Sequence, residues 1–351
     1  MTWLRDTFKQ EIEKIRQGGS LDSPARLEIH PHHASTDFCN NTCESCTGLK
    51  YRNGFGKKLG IKPEALLRTI DSLKGKVNRV LFSGCCIEPL LYPEIAEVLK
   101  QTRQAVPHAS LYSNFYFADK PGVLEQLADF NLVRISLDAG SSRSYRETHN
   151  PQDKNAFYKI LDNIKALVEL KRKKQTDVRV QITYLLTKYN SLPQELKGIT
   201  DWAKLKGVDE VRFSFYQKPL GRKTRGSSFV RPDVLDSLRE LKDWYFPVSG
   251  DRDFISIREE RTSLTQKQKP FKKCLVRKLF GVIGFDGGVY PCTAMASPDS
   301  PDYYIYGNIN DEDYLDVWEK IKKSKDFPLG KCYDCTRCEF ESNVLMNDNN
   351  T

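Results

Sequence analysis

Hydrophobic positions in this chain switch between two periods, and the switching predicts its elements. Leu4, Phe8, Ile12 and Ile15 recur at helical spacing, and Gly18-Gly19 ends that run. A strand is expected over 26–31 (Arg-Leu-Glu-Ile-His-Pro). Helices are then expected over Pro63–Leu73, Pro93–Thr102, Gly122–Phe130, Phe157–Lys173 and Leu192–Leu205. Between them, strands are expected over Val77–Ser83, Ala109–Asn114, Leu132–Asp138, Val178–Leu186 and Glu210–Tyr216. Strands alternating with helices imply parallel pairing through right-handed crossovers. Six such strands make an open, partial (β/α)6 barrel, whose chemistry belongs in the loops at the strands' C-terminal ends.

The pattern changes after Tyr216. Lys218–Arg225 is a basic loop, and a helix is expected over Pro232–Tyr245. A hairpin follows, with Phe280–Phe285 and Gly288–Tyr290 joined at Asp286-Gly287, a favoured tight-turn pair. A helix is expected over Asp313–Lys323, and the polar tail from Asn343 is expected to fray. The expected division is a helix at 1–24, a barrel at 25–225, a linker with a helix at 226–273, a small cysteine-rich α+β domain at 274–342 and a tail at 343–351. The fold class is α/β.

Composition narrows the classes of function. The 351 residues include 39% hydrophobic positions, enough for a large core. No apolar run approaches the roughly 18 residues of a membrane span. The start of the chain lacks a secretory pattern, so a cytoplasmic protein without a membrane partner is expected. The net charge of +9 is spread along the chain. With no aromatic-rich RNA-binding motif beside it, nucleic acid is not an expected partner. An acidic redox partner or an acidic substrate would suit the charge.

The ten cysteines carry the chemistry. In a cytosolic chain they read as metal or redox ligands rather than disulfides. Cys39, Cys43 and Cys46 form a C-x3-C-x2-C loop after the first expected strand. Three thiolates this close can hold three irons of a [4Fe–4S] cluster and leave the fourth open to a small molecule; a zinc site using two or three of them is the alternative. The second group is Cys274, Cys292, Cys332, Cys335 and Cys338, the first two bracketing the hairpin. These can close a second cluster or a structural zinc site. Cys85 and Cys86 stand apart.

The first motif resembles the signature of the radical S-adenosylmethionine (radical SAM) enzymes. That resemblance implies a cluster whose open iron chelates SAM's methionine moiety, and reductive cleavage to a 5′-deoxyadenosyl radical that abstracts a hydrogen atom. It also implies the partial barrel, and an electron donor of flavodoxin or ferredoxin type. The second group resembles the twitch/SPASM auxiliary-cluster extension, in particular that of the 2-deoxy-scyllo-inosamine dehydrogenases. By that likeness Cys274, Cys292, Cys332 and Cys335 are ligands, with Cys338 surplus or an alternative.

The same resemblance marks SAM contacts. Ser83-Gly84-Cys85-Cys86-Ile87-Glu88-Pro89 stands where the family has Gly-Gly-Glu-Pro, so Glu88 matches while Cys86 and Ile87 replace the glycines. Asn114 follows the third strand; Ser136 and Asp138 would sit near the SAM carboxylate and ribose. Gln181 would contact the ribose or carboxylate, and Leu186 and Asn190 would lie near the adenine. Arg212, Ser214 and Tyr216 share one face of the sixth strand by alternation. With Lys218, Arg222 and Arg225 they make a candidate substrate edge, Arg212 stabilising an oxyanion and Tyr216 relaying a proton. His30, His32 and His33 lie near the first cysteine loop.

The expected function is a radical SAM oxidoreductase acting on a small polar substrate, a carbohydrate or aminocyclitol-like metabolite that it dehydrogenates or epimerises. The reason is that only one short helix precedes the barrel, where peptide-modifying relatives often carry a recognition domain. The alternative is a maturase that crosslinks or epimerises a ribosomally made peptide. A second alternative is a non-catalytic iron–sulfur or zinc-binding protein.

Overall fold

In the computed structural model of the chain, the described residues are 2–43, 46, 59–84, 87–215, 233–245, 253–258, 270–296, 304–324, 335 and 337–347. They fall into two units: one within 1–36, 55–109 and 263–351, the other within 37–54 and 110–262.

The first unit is built on strands β1 (Arg26–Ile29), β2 (Arg79–Phe82), β8 (Phe280–Ile283) and β9 (Val289–Tyr290). β1 is central, parallel to β2 on one side and to β8 on the other. β8 turns back antiparallel into β9. Leu27 and Ile29 are fully buried, and so is His30 just beyond them, as befits a parallel strand covered on both faces. Helices α1 (Thr2–Thr7) and α2 (Lys9–Arg16) meet at Phe8. They bury Leu4, Phe8, Ile12 and Ile15, the face expected of a single helix. Phe8 meets Phe280 edge-to-face with ring centroids 5.2 Å apart. Helix α3 (Pro63–Ser72) opens on Pro63 in its first turn and packs on α4 (Ile95–Ala105).

The C-terminal segment is not a domain apart at the level of the sheet, because β8 extends the ladder of β1. Helix α10 (Val276–Leu279) precedes β8 and was not expected. Its fully buried Arg277 donates to the Ile321 and Ser324 carbonyls at the end of α11 (Tyr314–Lys323), each at 3.2 Å. The Ile321 carbonyl also accepts from Ser324 N and Oγ, so Arg277 adds to the cap at this helix end. The Trp318 indole donates to the Leu21 carbonyl at 3.1 Å. The expected fraying from Asn343 is corrected by helix α12 (Arg337–Asn347). Asn343 is fully buried there and accepts from the Leu275 and Val276 backbone at 2.7 and 3.1 Å. A polar tail can order when its amides satisfy buried backbone groups.

The second unit carries β3 (His108–Ser113), β4 (Leu132–Ser136), β5 (Arg179–Leu186), β6 (Glu210–Phe215) and β7 (Ile255–Arg258). From Ser110 onward β3 pairs with β4, and the parallel ladder continues through β5 and β6 to β7. Helices α5 (Val123–Leu127), α7 (Ala156–Lys174), α8 (Pro193–Lys206) and α9 (Val234–Trp244) match expected segments within a few residues. β7 and helix α6 (Ser142–His149) are additions to the expected set. Ser141 caps α6 through a reciprocal pair of hydrogen bonds with Ser144, the signal that marks its start. Tyr216, Lys218, Arg222 and Arg225 lie outside the described residues.

Gly281 on β8 provides a packing test. A Cβ there would collide with the Tyr314 hydroxyl, which has no hydrogen-bond partner among the described residues. Gly281→Ala should destabilise the protein by about 1–3 kcal/mol through overpacking. Adding Tyr314→Phe, which removes the colliding atom, should restore most of that loss in denaturant titrations.

Candidate active site

The first cysteine loop sits among side chains of the second unit. The turn after β3 holds Phe115 in the left-handed region (φ 67°) while Asn114 Oδ1 accepts from the Tyr116 N–H at 3.0 Å. Asn114 is thereby aimed back at the loop, donating to Asn40 Oδ1 at 2.8 Å and to Cys39 Sγ at 3.5 Å. The Asn41 N–H also donates to Cys39 Sγ at 3.4 Å. Asn41 in turn donates from Nδ2 to the Tyr145 hydroxyl at 3.0 Å. Thr42 N donates to the His149 carbonyl at 3.0 Å, fixing the loop to the end of α6.

His149 stands beside the first cysteine loop, a placement that pattern reading missed. Its Nδ1 lies 3.0 Å from Cys43 Sγ, and its Nε2 lies 3.1 Å from the Leu137 carbonyl and 3.6 Å from Asp138 Oδ2. The Tyr145 ring lies against it, centroids 4.5 Å apart. Burial pushes the imidazole down to about 4. A neutral ring donating from Nε2 to Leu137 leaves the Nδ1 lone pair to accept from the Cys43 thiol. The spacing from His149 to the cysteines is long, so only the Ser141 cap could have marked the helix that delivers it.

Asp138 follows β4 in the left-handed region (φ 48°). Its Oδ1 accepts from the Leu185 N–H at 2.6 Å, and its carbonyl accepts from Asn190 Nδ2 at 2.7 Å. Burial pushes its carboxyl up to about 7, against the lowering effect of the Leu185 bond. Asn190 is fully buried as a staple between the ends of β4 and β5. Leu186 is fully buried on the side of β5 that carries Ile182 and Tyr184.

One face of the ladder is polar. The guanidinium of Arg134 lies 4.0 Å over the Tyr112 ring and hydrogen-bonds Gln181 Oε1. Glu210 accepts from Arg179 at 2.6 Å and from Arg212 Nη2 at 3.0 Å, and also bonds Ser256. Burial would raise the Glu210 carboxyl, but Ser256, Arg212 and Arg179 together hold it low. Arg212 Nη1 is buried without a partner among the described residues.

In the first unit, the loop after β2 reaches Glu88. Its Oε1 caps the short 3-10 turn Pro89–Leu91 by accepting from Leu90 N at 3.1 Å. A Cβ on Gly84 would run into the Ile87 carbonyl oxygen, so this position requires glycine although Cys86 and Ile87 depart from it nearby. Cys85 and Cys86 lie outside the described residues. His32 stacks edge-on against Phe285, and His33 bonds Ser35 Oγ at 2.7 Å. His30 Nε2 bonds Glu28 Oε1 at 3.0 Å, Ser83 Oγ donates to the same oxygen at 2.7 Å, and Thr293 Oγ1 donates to Oε2 at 3.1 Å. Burial alone would raise Glu28. The bond and charge of His30, the charge of Arg26 and the Ser83 hydroxyl outweigh it and hold the carboxyl at about 2.

Among the second cysteines, Asn343 Nδ2 donates to Cys274 Sγ at 3.7 Å and Arg26 Nη1 to Cys338 Sγ at 3.6 Å. Burial pushes the Cys274, Cys292 and Cys338 thiols up. Cys332 lies outside the described residues. Seven described cysteines are free thiols. Among the described residues no three Cys, His, Asp or Glu side chains stand in a metal-holding arrangement. The donor set nevertheless fits thiolate-bound iron: N–H groups converge on Cys39, Cys274 and Cys338, where a bound cation would displace the thiol protons into solvent.

Residues 34–197 match the family model of the Radical SAM superfamily, and 274–339 that of an iron–sulfur cluster-binding domain, SPASM. The UPF0026 protein of Helicobacter pylori (strain J99) is 25% identical over 201 residues, 56% of this chain and 61% of that relative. The chain thus spans less than two thirds of that relative's length. Streptococcus suis SuiB bound to S-adenosylmethionine shares the fold with a TM-score of 0.62 at 17% identity, over 88% of this chain and 69% of SuiB. SuiB bound to its precursor peptide SuiA gives 0.61 at 18% identity, over 88% and 68%. The protein anSMEcpe, with bound AdoMet and the Cp18Cys peptide, gives 0.55 at 19% identity, over 93% and 84%. The two matched regions accordingly resemble a Radical SAM domain and a SPASM domain, and the chain shares with SuiB an open, partial-barrel α/β core. These matches support two [4Fe–4S] clusters and SAM as cofactors. Cys39, Cys43 and Cys46 fall in the first matched region, and all five later cysteines in the second. No helix among the described residues is long and apolar enough to cross a membrane.

Asp138 yields a pH test. A carboxyl raised from 3.8 to about 7 by folding adds stability while protonated and loses it as pH rises from near 4 through 7. Asparagine tolerates the same left-handed backbone. Asp138→Asn apoprotein should therefore be more stable than wild type at pH 8 and nearly unchanged at pH 4, read as denaturation midpoints.

Proposed function

We propose that this enzyme modifies a peptide or protein substrate by hydrogen-atom abstraction. On this reading it is a radical SAM enzyme whose [4Fe–4S] cluster, when bound, would supply the electron for cleavage of SAM to a 5′-deoxyadenosyl radical. Cys39, Cys43 and Cys46 hold that cluster, with Asn114 and the Asn41 N–H orienting Cys39 Sγ. Glu88, Ser136 and Asp138 are the SAM contacts of this reading. Gln181 is engaged by Arg134 and Leu186 is buried, so neither is given a direct role. Arg212 keeps one buried N–H group for a substrate oxygen while Glu210 fixes its plane. Tyr216 would relay a proton beside it. Four of Cys274, Cys292, Cys332, Cys335 and Cys338 supply the auxiliary ligands.

One observation carries the choice of substrate: the likeness to the peptide-bound structures of SuiB and anSMEcpe spans both matched regions of the chain. The carbohydrate or aminocyclitol substrate expected from the sequence has no comparable support. The expectation rested on the short segment before the barrel, which says nothing against a peptide that binds elsewhere. The net charge of +9 suits an acidic flavodoxin or ferredoxin as electron donor.

Reconstituted enzyme with dithionite and SAM should release 5′-deoxyadenosine, and Cys43→Ala should lower that release at least 100-fold. A peptide library should stimulate the release, with a panel of aminocyclitols and monosaccharides leaving it at the background rate. Stimulation by the sugar panel alone would overturn the peptide assignment; undiminished release by Cys43→Ala protein would overturn the cluster assignment.

A further inference from the structure

Arg26 belongs to the first strand of the barrel, far in sequence from the auxiliary cysteines, yet it touches one of them. Its Nη1 donates to Cys338 Sγ at 3.6 Å. The guanidinium lies 4.3 Å over the Phe280 ring centroid, and its Nη2 stands 3.8 Å from Glu28 Oε2. Arg26 is therefore fixed on three sides, and its side chain is only 16% exposed.

The neighbouring carboxylates tie the same strand to both cysteine segments. Glu28 accepts from the hydroxyl of Thr293, which follows Cys292. Thr293 N donates at 2.7 Å to Glu339, which follows Cys338 and is itself buried. Two alternate positions of β1 thus reach the flanks of Cys292 and Cys338. The charged groups around the cysteines are Arg26 and Arg277, which favour the thiolate form, and Glu28 and Glu339, which oppose it.

A cluster closed by four thiolates carries net negative charge, and its potential follows that charge, its burial and the hydrogen bonds to its sulfurs. A guanidinium bonded to a ligand sulfur stabilises the reduced, more negative state. We propose that Cys338 is a ligand of the auxiliary cluster and that Arg26 is its positioning residue, holding the sulfur by a charge-assisted N–H···S bond and raising the cluster's reduction potential. Cys338 is then not surplus to the C-x2-C-x2-C run. The first barrel strand and the auxiliary site are one electrostatic unit. This rests on the auxiliary cluster and not on the substrate assignment, and its test uses neither substrate nor SAM.

The experiment is a redox titration followed by electron paramagnetic resonance. It is made in full-length protein carrying Cys39→Ala, Cys43→Ala and Cys46→Ala, so that only the auxiliary cluster is seen. Arg26→Met should lower the potential, shifting the reduction equilibrium about tenfold, which is about 59 mV for a one-electron couple. Arg26→Lys, which keeps a donor and a charge, should restore most of the shift. Cys338→Ala should lose iron from the roughly four per chain of the parent or change the cluster's spectrum. An unchanged potential in Arg26→Met with its iron retained overturns the proposal. So does a Cys338→Ala protein with full iron and the parent spectrum. Should Arg26→Met fail to hold iron, retention by Arg26→Lys supports the proposal, and loss in both variants while Cys338→Ala keeps its iron overturns it.

Discussion

A thiol that is to bind metal must give up its proton, and burying it makes that harder. This constraint shapes both cysteine groups. Cys274, Cys292 and Cys338 are buried deeply enough that their thiols are pushed up, so they need a cation to stand as thiolates. The protein places N–H donors where those thiolates would form: Asn343 on Cys274, Arg26 on Cys338, Asn114 and Asn41 on Cys39. Such bonds contribute little to a thiol and more to a charged sulfur. The sites are thus prepared for the ligated state rather than for the free one.

The same physics explains why polar groups gather at the ends of the strands in each unit. Asp138 and His149 face each other across 3.6 Å, but burial raises one and lowers the other, so both are neutral together between about pH 4 and 7. Glu210 and Glu28 take the other route and stay ionised, because each is surrounded by guanidinium, imidazole or hydroxyl donors. A buried carboxylate with one donor tends to protonate; one with several does not. That difference in the number of partners, not in depth, separates the two kinds of acid here.

Much of this was legible in the sequence, and what was not has physical reasons. The C-x3-C-x2-C loop and the helix–strand alternation are local signals, and fifteen of the expected segments match observed elements within a few residues. Helix α6 escaped notice because Ser142–His149 is mostly polar and has no apolar stripe to show its period. β7 is four residues long, too short for alternation to declare itself. Asn343 read as tail because asparagine favours loops, yet its amide fills a backbone gap before α10 that only tertiary structure creates. The family resemblance puts Leu186 near the adenine, but alternation along β5 places it on the buried side.

Glu28 was overlooked for a related reason. A lone acid between Leu27 and Ile29 looks like the polar phase of an amphipathic strand. Parallel strands covered on both faces seldom have such a phase. Arg26, Glu28 and His30 follow the strand's period of two, so all three project to one side of β1. Arg26 meets the Cys338 sulfur of α12, Glu28 meets the Thr293 hydroxyl after β9, and His30 meets Glu28 beside it. Three such polar groups in one buried row would be costly if isolated. Linked as cation, anion and imidazole they offset one another, and the offset depends on the auxiliary cysteines keeping their place beside the first strand. The pairing of β8 with β1 is what keeps them there. The hairpin that Cys274 and Cys292 bracket is therefore also the element that fixes the charge row of the barrel's first strand.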